Sequence, residues 1–369
     1  MRVIILSASI GGGHMSASNA LKSYILGNSE EIEVEVIDTL KYINPLLNGI
    51  IVNGYMFLIK KISWFYEKLY YITDKENAVS LFLEMIEKLF SNKLLRLIKS
   101  KEIDVIITTH PFAEGMVSVL KERGKIKAKH ICIMTDYSPH NSWINSNVDH
   151  YIVSNEEMKI DMISRGIEDK KVHVYGIPID NKFLKKVDKK NILNSEGLDL
   201  DITTILLMGG SFGVKNIVDI YREISTIDLE FQVIVIVGNN RSVYKIMQKE
   251  ITDSKKKTKL IGFTNEVEKY MKISDVLITK PGGLTVTEAL VSNIPMIIFD
   301  AIPGQEEGNA RFLIENDVAV SIGKGISCSK IIEKLLKNKE RISAMKEKCK
   351  NISKPYVNKS ILKLIHNET

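Results

Sequence analysis

Short apolar runs rich in β-branched residues alternate along this chain with segments whose apolar residues recur every three or four positions. The runs predict strands and the helical spacing predicts the helices between them, so the pattern favours parallel α/β sheets. In the first half, strands are predicted at residues 3–6, 33–37, 104–108, 130–135, 151–154 and 172–175. In the second half, they are predicted at residues 204–208, 232–237, 259–263, 276–279 and 296–299.

The clearest helical pattern lies between the second and third predicted strands. Its apolar residues follow three- and four-residue steps, as one buried helix face requires. They are Ala78, Leu81, Phe82, Met85, Ile86, Leu89 and Phe90. This helix is expected to pack in the core.

The strand-helix alternation is interrupted once, near residues 176–196, where lysines replace the apolar periodicity. A chain of 369 residues is also too long for one ordinary core. We therefore predict an N-terminal domain at 1–178, a linker at 179–196 and a C-terminal domain at 197–352. The last segment, 353–369, is expected to form a helix that packs back on the N-terminal domain.

The composition is that of an ordinary globular protein, with 44% hydrophobic and 26% charged residues. A net charge of +6 allows attraction to anionic surfaces or phosphates without requiring nucleic acid. Only three cysteines occur, none in a metal-ligand spacing, which favours a reducing cytoplasm. No apolar run reaches the length of a transmembrane helix, so a soluble or peripheral protein is expected.

Glycine clusters follow the first predicted strand of each half, Gly11-Gly12-Gly13 and Gly209-Gly210, and a further glycine pair, Gly282-Gly283, opens a predicted helix. In open parallel sheets, ligands bind at the carboxyl ends of strands, where a helix N-terminus attracts phosphate. A structural strand-to-helix turn uses the same residues, so this motif alone leaves both interpretations open.

Polar groups near the last glycine pair complete a candidate nucleotide-sugar site. Glu288 lies about one turn into the predicted helix, where a carboxylate could accept hydrogen bonds from ribose hydroxyls or stabilise the helix dipole. Residues 262–267 offer backbone groups and Phe263 to a base. The glycine-bounded turn 303–309 holds amides and carboxylates that suit a sugar.

Taken together, these motifs resemble the glycosyltransferase family of the diacylglycerol glucosyltransferases and monogalactosyldiacylglycerol synthases, and more distantly the peptidoglycan lipid-linked GlcNAc transferases. The matching pieces are residues 7–14, Thr109-His110-Pro111-Phe112, Thr135-Asp136-Tyr137 and 262–309. The resemblance implies a GT-B fold, in which two Rossmann-like domains face across a cleft and the sugar is transferred with inversion.

The resemblance also implies a role for each matched position, with the donor in the C-terminal half and the acceptor in the N-terminal half. Phe263 and Val267 would hold uracil, Glu288 the ribose, and Gln305 and Glu306 the hexose. The diphosphate would lie among Gly210, Ser211, Gly282 and Gly283. Thr285 and Asn309 are also expected at the donor, and Gly12 and Gly13 on the acceptor side.

His14 is the strongest candidate near the reacting centre, because an imidazole can accept the proton of an attacking hydroxyl near neutral pH. It could instead orient phosphates or cap the following helix. Asp136, at the end of a predicted strand, is the second candidate base and could alternatively orient a histidine. His110 and His140 are weaker candidates.

No metal is expected in the reaction. Asp199-Leu200-Asp201 has the DxD form that binds a metal diphosphate in other glycosyltransferases, but it precedes a predicted strand instead of following one. Backbone N–H groups and a helix terminus would meet the charge of the departing UDP.

The segment from residue 42 to 75 interleaves aromatic rings with lysines, the mixture expected at a membrane surface. The residues assigned to acceptor and membrane contact here are Tyr55, Lys60, Lys61, Trp64, Phe65 and Lys68. An amphipathic core helix would show similar spacing. We expect the protein to associate peripherally with the inner face of the cell membrane.

The predicted function is inverting transfer of a hexose from a UDP-sugar to diacylglycerol. A composition rich in Lys, Ile and Asn, typical of low-GC bacteria, favours glucose over galactose as the hexose. The alternatives are a UDP-GlcNAc transferase acting on a polyprenyl-linked acceptor, or a non-catalytic nucleotide-sugar-binding regulator. The presence of both His14 and Glu288 argues against the regulator.

Overall fold

The computed structural model describes residues 1–9, 12–45, 49, 68, 78–209, 214–322 and 327–367. They form two compact units: the first comprises Met1–Asn181, Ile302–Gly308 and Lys354–Thr369, and the second comprises Lys182–Ala301 and Asn309–Ser353. Residues 302–308, predicted to belong to the C-terminal domain, group with the first unit. The predicted linker divides at residue 181 between the two units.

The first unit is built on a parallel sheet of six strands in the order β2-β1-β3-β4-β5-β6. Their bounds are Arg2–Ser7 (β1), Glu33–Asp38 (β2), Val105–Thr108 (β3), Lys129–Ile133 (β4), His150–Ile152 (β5) and Val172–His173 (β6). Between them, the described residues include the helices Gly13–Asn28 (α1), Thr39–Ile43 (α2), Ala78–Ser100 (α3), Pro111–Glu122 (α4) and Glu156–Ser164 (α5). Short 3-10 helices span Asn141–Trp143, Asp169–Lys171 and Asn181–Leu184.

The second unit repeats this architecture, with the strand order β12-β11-β10-β7-β8-β9, again all parallel. The strands are Thr204–Met208 (β7), Gln232–Ile236 (β8), Thr258–Ile261 (β9), Val276–Thr279 (β10), Met296–Ile298 (β11) and Ala319–Ser321 (β12). The helices from residue 189 to 352 are Lys189–Ser195 (α6), Val214–Ser225 (α7), Arg241–Asp253 (α8), Val267–Ile273 (α9), Gly283–Val291 (α10), Gln305–Glu315 (α11), Cys328–Leu336 (α12) and Lys339–Ile352 (α13).

The predicted α/β class and all the predicted strands, β1 to β11, are confirmed. The last strand, β12, was not predicted, because three residues are too few to show a period. No helix in the described part of the chain is long and apolar enough to cross a bilayer.

The central strands of both sheets are apolar on both faces, because helices cover each face. In β1, Ile5 points into a cluster with Leu21 of α1, whereas Ile4 packs on the other side with Leu94 of α3 and Met116 of α4. All five side chains are fully buried. Burial of each such side chain stabilises the fold by roughly 1.5–3 kcal/mol.

The C-terminal helix, Val357–Asn367 (α14), packs on the β1 face that α1 covers. Ile361 and Ile365, one helical turn apart, are fully buried there against Ile5. The side chain of Asn358 also donates a hydrogen bond to the backbone carbonyl of Ile179 (2.8 Å). These contacts make residues 354–367 part of the first unit.

One residue that was predicted to lie on the core face of α3 is exposed to solvent instead. Leu89 is 67% exposed, whereas the buried face of this helix further along consists of Leu94, Leu97 and Ile98. The prediction that Leu89 faces the core was wrong. The buried stripe of a long helix drifts around its axis, since 3.6 residues per turn does not match a strict repeat of three and four.

Candidate active site

Each sheet has one topological switch point, where the chain leaves a strand toward one side and later returns to its other side. In the first sheet it lies between β1 and β3, and in the second between β7 and β10. In open α/β sheets, ligands bind beyond the carboxyl ends of the strands at this point. The segments that follow β1, β3 and β10 contain His14, Thr109-His110 and Gly282-Gly283, so the topology brings the predicted motifs to these edges.

The glycines after β1 start helix α1. Gly12 is its N-cap with a φ of 82°, a left-handed conformation that glycine adopts without the strain of a side chain. Neither a side-chain cap nor an acidic residue in the first turn occurs among the described residues of this helix end. Its N–H groups and positive dipole end therefore face the switch point, with Gly13 and His14 in the first turn.

The hydrogen bonds of His14 determine which of its nitrogens can act as a base. Its Nδ1 lies 2.8 Å from the backbone carbonyl oxygen of Thr109 and 2.8 Å from the Oγ1 of Thr135. A carbonyl oxygen can only accept, so Nδ1 must carry the proton. The neutral imidazole then has its lone pair on Nε2, as a general base requires.

A chain of hydroxyl groups holds this arrangement in place. Thr109 donates through its Oγ1 to Ser7 at the end of β1 (2.9 Å), and the Oγ of Ser18 in α1 lies 2.9 Å from the same Oγ1. Ser18 also donates to the backbone carbonyl of His14 (2.9 Å). Ser7, Ser18 and Thr109 are fully buried, so the Thr109–Ser7 hydrogen bond joins β3 to β1 and the Ser18–Thr109 contact places α1 against them beside the imidazole.

Two rings border the imidazole of His14. The ring of His110 meets it edge to face with centroids 4.8 Å apart, and that of Trp143 lies 6.3 Å away. The Nδ1 of His110 accepts the N–H of Phe112 (3.2 Å) as the N-cap of α4. The role of His110 here is therefore that of a cap and packing partner. The comparable N-cap of the 3-10 helix at 141–143 is His140.

Burial lowers the pKa of His14 below its ordinary value of 6.5, against the opposing effects of the Asp136 charge and the Thr109 hydrogen bond. The pKa of His110 is lowered further, by burial and by the neighbouring His14. Both imidazoles are therefore neutral at physiological pH. A neutral His14 can take up a proton, and the nearby Asp136 carboxylate would stabilise the resulting imidazolium.

Asp136 follows β4 and is buried, with 6% exposure. Its Oδ2 accepts a 2.8 Å hydrogen bond from the side-chain amide of Gln305, at the start of α11. The first unit thus brings together the second candidate base and a residue expected to bind the hexose. Gly308 lies so close to Ser138 that an added Cβ would fall 2.5 Å from the Cβ of Ser138, so only glycine allows this approach.

Two carboxylates in the first turn of α11 hold the chain segment that precedes this helix. Glu306 accepts the N–H of Ile302 (2.8 Å), and Glu307 accepts that of Gly304 (2.9 Å). These bonds give Glu306 a structural task beside its predicted contact with the hexose. Asn309 is fully buried and donates to the carbonyl of Pro281 (3.0 Å), so it supports the turn that leads into α10.

In the second unit, Gly282 is the N-cap of α10 and Gly283 its first residue. Like α1, this helix shows neither a side-chain cap nor an acidic residue in its first turn within the described chain. Thr285 lies in the first turn, and Glu288 lies one turn further along and is partly exposed. This combination of an uncapped N-terminus and a carboxylate on one helix suits a diphosphate and a ribose.

Other predicted donor residues lie further away or outside the described chain. Phe263 follows β9 and is 62% exposed, and Val267 is the first residue of α9. Because β9 is three strands from β10, this loop lies roughly 14 Å along the sheet from the Gly282 turn. Gly210 and Ser211 lie outside the described residues.

The membrane-contact residues Tyr55, Lys60, Lys61, Trp64 and Phe65 also lie outside the described residues, whereas Lys68 is described and exposed. Asp199 of the DxD sequence precedes β7 and pairs with Lys257 (2.7 Å). Within the described ranges, no three His, Cys, Asp or Glu side chains converge as metal ligands would.

Thr109 and Thr135 belong to the matched sequence motifs but were assigned no role in the site, and Trp143 was not singled out. Both threonines directly precede a predicted site residue at a strand end, and this position was the available signal. Trp143 had none, since it lies in a short 3-10 helix. Lys280, which opens the Gly282-Gly283 motif, was likewise assigned no role, and its ion-pair partner in the second unit, Asp300, was not singled out.

Two family models together match nearly all of the chain. That of monogalactosyldiacylglycerol (MGDG) synthase matches residues 14–179, and that of the glycosyltransferase family 28 C-terminal domain matches residues 204–364. The crystal structure of MurG from Acinetobacter baumannii superposes with a TM-score of 0.67 at 14% identity, covering 99% of both chains. The fold is thus that of the GT-B glycosyltransferases, and the chain is an enzyme of this class.

Two relatives narrow the class. The processive diacylglycerol beta-glucosyltransferase of Bacillus pumilus is 29% identical over 98% of this chain and 93% of that protein. The protein of the same name from Staphylococcus aureus strain MRSA252 is 31% identical over 93% of this chain and 87% of its own length. The chain belongs to the family of these diacylglycerol glucosyltransferases, and the predicted resemblance is confirmed.

Proposed function

We propose that this enzyme transfers glucose from UDP-glucose to the free hydroxyl of diacylglycerol, with inversion at the anomeric carbon. The observation that carries the proposal is the partly buried His14 at the β1–β3 switch point, whose Nδ1–H is donated to the Thr109 carbonyl oxygen. Glucose is proposed over galactose because both relatives are named as glucosyltransferases.

The proposed reaction is a single displacement. The Nε2 of His14 takes the proton of the acceptor hydroxyl as its oxygen attacks the anomeric carbon. The bond from that carbon to the β-phosphate oxygen breaks, and UDP leaves with the electron pair. The Asp136 carboxylate, whose charge raises the His14 pKa, favours the imidazolium as it forms. Attack opposite to the leaving group inverts the α-linked donor into a β-glucoside.

The departing UDP is proposed to bind the second unit. The N–H groups that open α10 and the positive end of the helix face developing negative charge on the diphosphate. Glu288 would accept hydrogen bonds from the ribose hydroxyls. We propose that these groups stabilise the leaving group without a metal ion.

The enzyme is proposed to reach its lipid as a peripheral protein on the inner face of the membrane. Support comes from the interleaved aromatic residues and lysines between 42 and 75. Rings at headgroup level and lysines near anionic phosphates would together hold it at the surface.

The test is incubation of the purified enzyme with diacylglycerol vesicles and one donor at a time: UDP-glucose, UDP-galactose or UDP-GlcNAc. We expect a β-glucosyl lipid from UDP-glucose, identified by mass and by the anomeric coupling constant, and unchanged activity in a chelator. Formation of a galactosyl product alone would show that the donor is UDP-galactose instead of UDP-glucose. Activity that is lost in chelator and restored by magnesium would refute metal independence. Absence of any lipid product from all three donors would refute the function.

A further inference from the structure

The backbone at Asp300 is unusual for its place in the fold. Among the described residues, four non-glycine residues have a positive φ: Glu102, Asn293, Asp300 and Asp317. Three of them directly follow helices α3, α10 and α11, where a left-handed residue commonly ends a helix. Asp300, with a φ of 54°, follows strand β11 instead. Such conformations persist where the surrounding contacts over-determine them, and they cluster at functional sites.

The side chain of Asp300 joins three elements at the carboxyl ends of neighbouring strands in the second sheet. Its Oδ2 accepts a 2.6 Å hydrogen bond from the Nδ2 of Asn216, in the first turn of α7, and lies 3.0 Å from the Nζ of Lys280. Lys280 directly follows β10, and its side chain is only 11% exposed. The strands concerned, β11, β10 and β7, are neighbours, and their carboxyl ends border the switch point.

We propose that Asp300 is a positioning residue for the donor diphosphate: it holds the Lys280 ammonium and the first turn of α7 in place at this edge. This role rests on the proposed function. An ammonium has three donors, and its pair with Asp300 uses one of them. The nearly buried Lys280 is then oriented, two residues before the Gly282 turn, to donate to a phosphate.

The positive φ dictates which substitutions can test this role. Asp300→Gly removes both side-chain bonds and adopts the backbone conformation freely. Asp300→Asn tolerates the conformation and keeps an acceptor oxygen but loses the charge. The matched control is Asp317→Gly. Asp317 also has a positive φ, 53°, and also pairs with cations, Lys348 at 2.8 Å and Arg341 at 3.5 Å, but it precedes β12 and so lies toward the amino edge of the sheet.

Binding of UDP is measured by calorimetry, and the KM for UDP-glucose is measured with diacylglycerol vesicles. We expect Asp300→Gly to weaken UDP binding about tenfold, as loss of a charge-assisted contact would. The UDP affinity of Asp300→Asn should lie between those of Asp300→Gly and the parent. Its KM for UDP-glucose should be raised, with little change in kcat. Asp317→Gly should bind UDP like the parent, whatever its melting temperature.

Lys280→Met and the double variant Lys280→Met/Asp300→Gly complete the test. If Asp300 acts through Lys280, the double variant binds UDP about as weakly as Lys280→Met alone. Unchanged or tighter UDP binding by Asp300→Gly overturns the proposal, as do fully additive losses in the double variant. A parent enzyme that does not bind UDP would overturn the donor site itself and this role with it.

Discussion

The Nδ1 of His14 donates to the backbone carbonyl of Thr109 across 2.8 Å, which fixes the tautomer of the imidazole. The two residues are separated by 95 positions and are joined because α1 begins beside the end of β3. The consequence is a neutral imidazole with its lone pair on Nε2.

Removal of the imidazole should abolish most of the turnover. We expect His14→Ala to lower kcat by roughly 10²–10⁴, the contribution of a general base, while UDP affinity and the melting temperature stay near those of the parent. The assay is glucosyl transfer at saturating lipid. His140→Ala removes a different histidine, the N-cap of the 3-10 helix at 141–143, and serves as the control. Near-normal kcat in His14→Ala would remove this residue from the chemical step.

The pH dependence of kcat/KM reports the pKa of the general base in the free enzyme. Because burial lowers the pKa of His14, the acidic limb of the profile should lie below pH 6.5, with full activity above it. The Asp136 charge raises that pKa, so Asp136→Asn should move the limb to still lower pH as well as reduce the rate. Movement of the limb to higher pH in this variant would contradict the assignment.

Donor binding should depend on the carboxylate of Glu288. Glu288→Gln is expected to weaken UDP binding by about 1.5–3 kcal/mol, the contribution of charge-assisted hydrogen bonds. Calorimetry with UDP measures the loss. As the control, Glu333→Gln on α12 removes the carboxylate of an exposed ion pair with Lys337 and should bind UDP normally. Equal affinity in Glu288→Gln and the parent would exclude the ribose contact.

The buried His130 should make the fold sensitive to acid. Burial and the Lys121 charge lower its pKa to about 3, against about 6.5 in the unfolded chain. Its contribution to stability is thus present above pH 6.5 and is lost as the pH falls toward 3. Between pH 7 and 5 this loss amounts to about 2 kcal/mol.

Urea unfolding of the parent and of His130→Gln at these two pH values measures that loss. The variant should lose about 2 kcal/mol less than the parent between pH 7 and 5. The same substitution at the exposed His366 is the control variant. Equal losses in the parent and His130→Gln would show that His130 does not carry the effect.

Membrane binding is predicted to depend on the lysines of the segment 42–75. The triple change of Lys60, Lys61 and Lys68 to Glu should reduce flotation with anionic vesicles, because each basic residue near such a surface contributes about 1 kcal/mol. Activity on vesicle-borne lipid should fall with it, and UDP affinity should not. Undiminished flotation of the triple variant would show that another surface makes the contact.

The sequence alone determined eleven of the twelve described strands, the fold class and the family. Each of the strands β1 to β11 was visible as a β-branched apolar run, and the glycine turns that start α1 and α10 were visible as motifs. These features are local: burial on both faces and a strand-to-helix turn impose a pattern on neighbouring residues, so the pattern can be read without the structure.

Only the tertiary structure decided which groups meet. The Thr109 carbonyl is a backbone atom and leaves no trace in a motif, and the contact of Asp136 with Gln305 spans 169 positions. The exposure of Leu89 and the link from Asp300 to Asn216 and Lys280 likewise depend on strand order and helix rotation. Residue spacing encodes which face is buried, whereas the partner across a sheet edge depends on topology, which local spacing does not contain.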